Sequence, residues 1–90
     1  SVTQPVEFRS AGSIFRNPVG DHAGRLIDAA GLKGACVGGA KISEKHGNFF
    51  VNLGDARAAD VLALVALARE RVRAMAGIEL ELEIRVVGED

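Results

Sequence analysis

Two residues near opposite ends of the sequence, Ser13 and Glu83, have side chains suited to proton transfer. Ser13 follows Gly12, and its hydroxyl can donate a proton or simply bond to the backbone at the end of a strand. Glu83 stands two positions before Arg85, so the two side chains share one face of an extended strand. A carboxylate beside a guanidinium suits an anionic substrate, because the cation holds the negative group while the carboxyl exchanges a proton. A solvated face on which the two charges only pair with each other explains the same spacing.

Metal ions and nucleotide cofactors need ligand spacings that this sequence lacks. His22, Cys36 and His46 are scattered, so no metal site is predicted. The glycine-rich stretch 31–39 lacks the Gly-Lys-Ser/Thr ending of a phosphate loop and does not match the dinucleotide fingerprint, so it is predicted to form tight turns. Cys36 is the single cysteine, which excludes an internal disulfide, and it is predicted to be a small buried hydrophobic residue.

Composition narrows the classes of function. The 90 residues are enough for one domain, and the net charge of −1 with four Phe and no Trp or Tyr argues against nucleic acid as a partner. The longest apolar run, 61–68, is too short to span a bilayer, and the first residues do not resemble a signal peptide. These observations predict a cytoplasmic protein that does not contact the membrane.

Two helices are predicted from apolar residues at helical spacing. The shorter one is capped by Asp21 and ends before Gly31, while the longer one runs from about residue 56 to 76, with Asp55 as its cap and Gly77 as its stop. The apolar stripe predicted along the longer helix consists of Val61, Val65, Ala68, Val72 and Met75.

Strands are predicted at residues 13–16, 40–43 and 48–53, and strict alternation over 78–86 predicts another with its glutamates on the polar face. Residues 1–10 are predicted to be a linker and residues 11–90 a domain. The fold class is α+β, with two layers in which two main helices pack on one face of a small mixed sheet.

Four consecutive segments carry a more specific signal: SAGSIFRNP, AGRLIDAAGLKG, VGGAKISEKHGNFFVN and GIELELEIRVVGE. In order and spacing they resemble the C-terminal domain of UDP-N-acetylenolpyruvoylglucosamine reductases, and the resemblance extends from about residue 4 to 89. It is closest to the shorter subtype of that family, which has a KHxNF-like segment.

The resemblance implies a flavoenzyme of peptidoglycan precursor synthesis. Enzymes of this family use FAD and NADPH to reduce UDP-N-acetylglucosamine-enolpyruvate to UDP-N-acetylmuramate. By motif position, Ser13 donates a proton to the substrate and Glu83 stabilises or protonates the enol-like intermediate. Asn17 and His46 are placed on the substrate, whereas Arg85 is given no catalytic role.

The family's flavin-binding domains precede the matching segment, and the resemblance therefore implies that these domains are partners of this chain. The chain alone is expected to bind neither FAD nor NADPH and to be inactive. The alternative is a stand-alone α+β module that binds a nucleotide sugar or a protein and has no redox role.

Overall fold

A computed structural model describes residues 7–8, 14–83 and 86–87, which form two helices and five short strands. In chain order these are β1 (Glu7–Phe8), α1 (Ala23–Ala29), β2 (Cys36–Val37), β3 (Ala40–Ile42), β4 (Phe50–Asn52), α2 (Ala58–Ala76) and β5 (Val86–Val87). The predicted α+β class is confirmed.

The strands pair with their neighbours in antiparallel fashion throughout the described part of the chain. One sheet has the order β2-β3-β4, β1 pairs with β5, and an isolated bridge joins Phe15 to Leu82. The sequence predicted a mixed sheet, but β2, β3 and β4 follow one another through short connections. Such connections join only antiparallel strands, since a parallel pair needs a long crossover.

Helix α1 is capped by a residue that the sequence did not indicate. The side-chain oxygen Oδ1 of Asn17 accepts the N–H of Ala23 at 3.0 Å. The predicted cap, Asp21, instead accepts both the N–H of His22 and the guanidinium of Arg25. The cap prediction is therefore wrong, because the arginine one helical turn later binds the carboxylate.

Helix α2 begins two residues later than predicted, at Ala58, and Asp60 rather than the predicted Asp55 binds the backbone of the N-cap residue Arg57. The Asp60 carboxylate accepts the N–H groups of Arg57 at 3.0 Å and of Gly39 at 3.3 Å. These donors lower the pKa of Asp60, the Arg57 bond having the larger effect. The helix ends as predicted at Gly77, whose φ of 68° is a left-handed conformation that glycine adopts without strain.

The core lies where α2 packs against α1, β2, β3 and β5. Each fully buried Leu, Ile or Phe side chain there contributes about 1.5–3 kcal/mol relative to an exposed one. The largest of these side chains, all with less than 2% of their surface exposed, are Phe15, Ile14, Leu26, Ile27, Ile42, Leu64 and Leu80.

Two predictions of burial are wrong. Met75 is 46% exposed, because residues 73–77 at the end of α2 all lie beyond the core. Cys36 is exposed because it lies beside Lys41 on the outer face of the sheet, whereas the alternate residues Ala40 and Ile42 are buried.

Residues 1–6 and 9–13 lie outside the described residues, so the boundary between linker and domain stays a prediction. Glu7 and Phe8 form β1, which pairs with Val87 and Val86. The strand predicted over 78–86 is shorter in the structure, because residues 78–81 belong to no strand, Leu82 forms only an isolated bridge and β5 is Val86–Val87. The alternation of burial is present at 79–83, where Leu80 is buried, Leu82 is half-buried and the three glutamates are exposed.

Candidate functional site

The segment that follows Ser13 runs beside the segment that contains Glu83. The N–H of Glu83 donates to the carbonyl oxygen of Ile14 at 2.8 Å, next to the bridge between Phe15 and Leu82. The Glu83 side chain is exposed. Ser13 itself lies outside the described residues, as does Arg85, so the meeting of the Ser13 and Glu83 side chains stays a prediction.

Asn48 also bonds to the segment that follows Ser13, through Ile14 and Phe15, and its side chain is only 1% exposed. Its Oδ1 accepts the N–H of Phe15 and its Nδ2 donates to the carbonyl of Phe15, both at 2.9 Å. Its backbone carbonyl accepts the N–H of Ile14, also at 2.9 Å. A buried amide with both donor and acceptor satisfied holds its partners in one arrangement, since breaking either bond strands a polar group.

A groove of about 430 Å³ lies between the start of α1 and the loop before β4, and Asn48 forms part of its lining. Both residues that were predicted to bind substrate, Asn17 and His46, line it. Its other lining residues are His22, Gly24, Arg25, Asp28, Lys33, Lys45, Gly47 and Asn48. The structure thus brings Asn17 and His46 together, while their contact with a substrate stays a prediction.

His46 is held at the groove by its neighbours in the loop. Its ring stacks on Phe49 with 4.4 Å between centroids, and its Nδ1 accepts the N–H of Asn48 at 3.4 Å. The Ser43 hydroxyl oxygen accepts the N–H groups of Lys45 and His46, which fixes the turn. Because Nδ1 accepts this bond, Nε2 is the ring nitrogen available to donate to an oxygen in the groove.

The groove carries more positive than negative charge. Arg25, Lys33 and Lys45 line it together with one carboxylate, Asp28, which pairs with Lys33 at 3.5 Å. Arg25 is bound to Asp21, and this partner raises the pKa of the guanidinium. Among the described residues Lys45 has no ion pair. This charge arrangement favours an anionic ligand such as a phosphate ester.

Two glycines allow α1 to lie close to the loop that contains His46. A Cβ on Gly47 would lie 2.9 Å from the carbonyl oxygen of Gly24, and a Cβ on Gly24 would lie 3.1 Å from Cε1 of His46. Both distances are shorter than the contacts that a real Cβ makes without moving a neighbour. The depth of the groove therefore depends on the absence of side chains at these positions.

The sequence interpretation missed Arg25 and Asp28, although their spacing contained a signal. With His22 they occur every third residue, which places all three on one face of α1, while Leu26 and Ile27 are buried on another. No comparable signal indicated Asn48, because its partners lie 33 positions away.

In the described part of the chain, no cluster of three or more His, Cys, Asp or Glu side chains is arranged to hold a metal ion. None of the helices described is both long and apolar enough to cross a membrane.

Comparison with known proteins shows which family this chain belongs to. The family model for the C-terminal domain of UDP-N-acetylenolpyruvoylglucosamine reductase matches residues 4–87. The chain belongs to this family. Its resemblance to the family, which the four sequence segments indicated, is therefore confirmed.

Individual reductases of the family match nearly the whole chain. The enzyme of Methylococcus capsulatus is 57% identical over 89 residues, which cover 99% of this chain and 29% of the relative. That of Bacillus licheniformis is 54% identical over 87 residues, covering 97% of this chain and 47% of the relative. The crystal structure of the Thermus caldophilus reductase matches with a TM-score of 0.65 and 57% identity, over 89% of this chain and 28% of that one. The chain thus spans between about a quarter and half of the length of these relatives.

Proposed function

We propose that this chain is the part of a UDP-N-acetylenolpyruvoylglucosamine reductase that binds the nucleotide sugar and handles protons during its reduction. The observation that carries the proposal is that one residue, Asn48, both lines the groove and bonds to the segment paired with Glu83. The proposal requires that the reactive end of a substrate in the groove extend to Ser13 and Glu83 beside this segment.

The groove supplies groups that suit a UDP-sugar. Lys45 has no ion pair among the described residues and can bind a diphosphate oxygen, while Nε2 of His46 can donate to a phosphate or sugar oxygen. Asn17 lies at the same opening, with its Oδ1 already accepting from Ala23. Its Nδ2 can therefore donate to an acceptor such as a uracil or sugar oxygen.

The proposed reaction saturates the carbon–carbon double bond of the enolpyruvyl group. One carbon receives a hydride and the adjacent carbon receives a proton, so the product is the corresponding lactyl ether, UDP-N-acetylmuramate. We assign the proton donor to Ser13 and the stabilisation of the enol-like intermediate to Glu83. A serine hydroxyl is a weak acid, so its proton transfer needs a second group that stabilises the charge left behind, and Glu83 is the acid nearest in the backbone pairing.

We propose that the glycine-rich turn of this chain does not hold FAD or NADPH. A Cβ on Gly39 would lie 2.5 Å from the backbone nitrogen of Ala56, so this glycine is occupied in packing and is not open to a phosphate. We propose that the flavin, which supplies the hydride when bound, is held by other domains of the full-length protein. The reaction would take place in the cytoplasm, where peptidoglycan precursors are made.

Turnover by the full-length protein tests this function. We expect NADPH consumption beyond the one equivalent that reduces the bound flavin only when UDP-N-acetylglucosamine-enolpyruvate is added. The product mass should exceed the substrate mass by one hydride and one proton. Binding of the nucleotide sugar without NADPH consumption by the flavin-loaded protein would contradict the proposal. That result would favour the alternative, a binding module without a redox role.

A further inference from the structure

Phe15 has two backbone groups that its strand partner does not use. The hydrogen bonds on either side of the Phe15–Leu82 bridge are made by Arg16 and Glu83, so this is the non-hydrogen-bonded kind of antiparallel pair. In such a pair, the N–H and C=O of Phe15 point away from the strand that contains Leu82. Because Phe15 is fully buried, both groups need partners within the protein.

The Asn48 side chain takes the place of a further strand. Its carboxamide offers one acceptor and one donor, and it pairs with Phe15 as a backbone peptide group would. In addition, the backbone carbonyl of Asn48 bonds to the N–H of Ile14. That N–H belongs to the peptide group that joins Ser13 to Ile14, so Asn48 fixes the chain immediately after the proposed proton donor.

Asn48 is also connected to the groove. Its own N–H donates to Nδ1 of His46, and the residue forms part of the groove wall. We propose that Asn48 is a positioning residue, which fixes Ile14 and Phe15, the two residues after Ser13, beside the groove without taking part in proton transfer. This inference rests on the proposed function, because it needs Ser13 to act on the substrate.

Asn48→Ala in the full-length, flavin-loaded protein tests the inference. We expect reoxidation of the reduced flavin by the enolpyruvyl substrate to slow by roughly tenfold to hundredfold, because a catalytic group displaced by an ångström loses about this much. Flavin reduction by NADPH should stay near the parental rate. Val72→Ala, which removes methyl groups from the buried face of α2, is the matched control for loss of packing and should change neither rate.

Two further measurements separate positioning from stability. Amide hydrogen exchange at Phe15 should increase in Asn48→Ala and not in Val72→Ala. In the Ser13→Ala background, Asn48→Ala should cause little additional slowing, since the group that it positions is already gone. Should Asn48→Ala fail to fold, Asn48→Asp keeps the shape and the acceptor for the Phe15 N–H while the ionised form lacks the donor. The same slowing is expected of it at pH values where this carboxyl is ionised, because a protonated carboxyl can donate to the Phe15 carbonyl in place of the amide.

Equal rates for Asn48→Ala and Val72→Ala, with Ser13→Ala slow, would overturn the positioning role and leave the proposed function intact. An Asn48→Ala effect that persists undiminished in the Ser13→Ala background would also overturn it. Parental reoxidation by Ser13→Ala would instead contradict the proposed proton donor, and the positioning role would fall with it.

Discussion

The N–H of Glu83 donates a hydrogen bond of 2.8 Å to the carbonyl oxygen of Ile14. This bond connects two segments from opposite ends of the chain, one of which follows Ser13 directly. Antiparallel pairing fixes the register of the two segments, because a shift by one residue would turn Leu82 out of the interior. The backbone of Glu83, the proposed acid, is therefore held beside the segment that follows the proposed proton donor in the sequence.

Glu83→Gln should slow the reoxidation of reduced flavin by about 10²–10⁴-fold, because an amide cannot take or give the proton that a carboxyl handles. Stopped-flow flavin absorbance measures this rate. Glu81→Gln is the matched control, since it makes the same change two residues away at another exposed position of the segment. Equal rates for the two variants would mean that Glu83 has no catalytic role and only forms part of a solvated face.

Lys45→Ala should raise KM for the enolpyruvyl substrate by roughly three- to tenfold with little change in kcat, since a charged hydrogen bond at an exposed site contributes up to about 1.4 kcal/mol. Arg71→Ala removes an exposed positive charge on α2 outside the groove and serves as control. Steady-state kinetics at two salt concentrations measures both. A similar rise in KM for the two variants would mean that only net charge matters.

Gly24→Ala should separate stability from binding. Alanine favours a helix over glycine by about 1 kcal/mol, so the urea midpoint is expected to stay level or increase. The new Cβ would approach Cε1 of His46 to 3.1 Å and displace the ring, which should raise KM. In a His46→Ala background the same substitution should leave KM unchanged. A further rise there would show that Gly24 acts on the groove by another route.

Asp21→Asn should destabilise the protein in a manner that depends on pH. The Arg25 guanidinium and the His22 N–H hold the pKa of Asp21 well below its ordinary value of 3.8. A lowered folded-state pKa means that the ionised carboxylate stabilises the fold above the unfolded pKa, and that this contribution is lost as pH falls through the folded pKa.

The difference in free energy of unfolding between parent and Asp21→Asn should therefore be constant at neutral pH and shrink below 3.8. Urea titrations at several pH values measure it. In an Arg25→Ala background the difference should decrease at neutral pH as well. A difference that grows on acidification would have the wrong sign for this explanation.

Local patterns predicted the elements of this fold better than their ends. The long periodic segment of α2 and its stop at Gly77 are visible in the sequence, because both depend on residues within the helix. The caps are not, because Asp60 also bonds to Gly39, 21 positions earlier, and Asn17 reaches across a turn to Ala23. Only the folded chain shows which carboxylate or amide meets which N–H.

Some residues of the candidate site could be predicted from the sequence and others could not. Motif position indicated Asn17 and His46, and the structure brings both to one groove. Asn48 was beyond sequence reasoning, because a short KHGNF segment does not reveal that the amide replaces a strand beside Phe15. Its importance comes from burial and from partners that are distant along the chain.

The reoxidation rate of the flavin in Ser13→Ala tests the central claim most directly. In the full-length protein, we expect reduction by NADPH to stay near the parental rate. Reoxidation by UDP-N-acetylglucosamine-enolpyruvate should be slower by about 10²–10⁴-fold, which is the loss expected for a missing general acid. Parental speed in both half-reactions would show that the substrate receives its proton from another group and would contradict the proposed site.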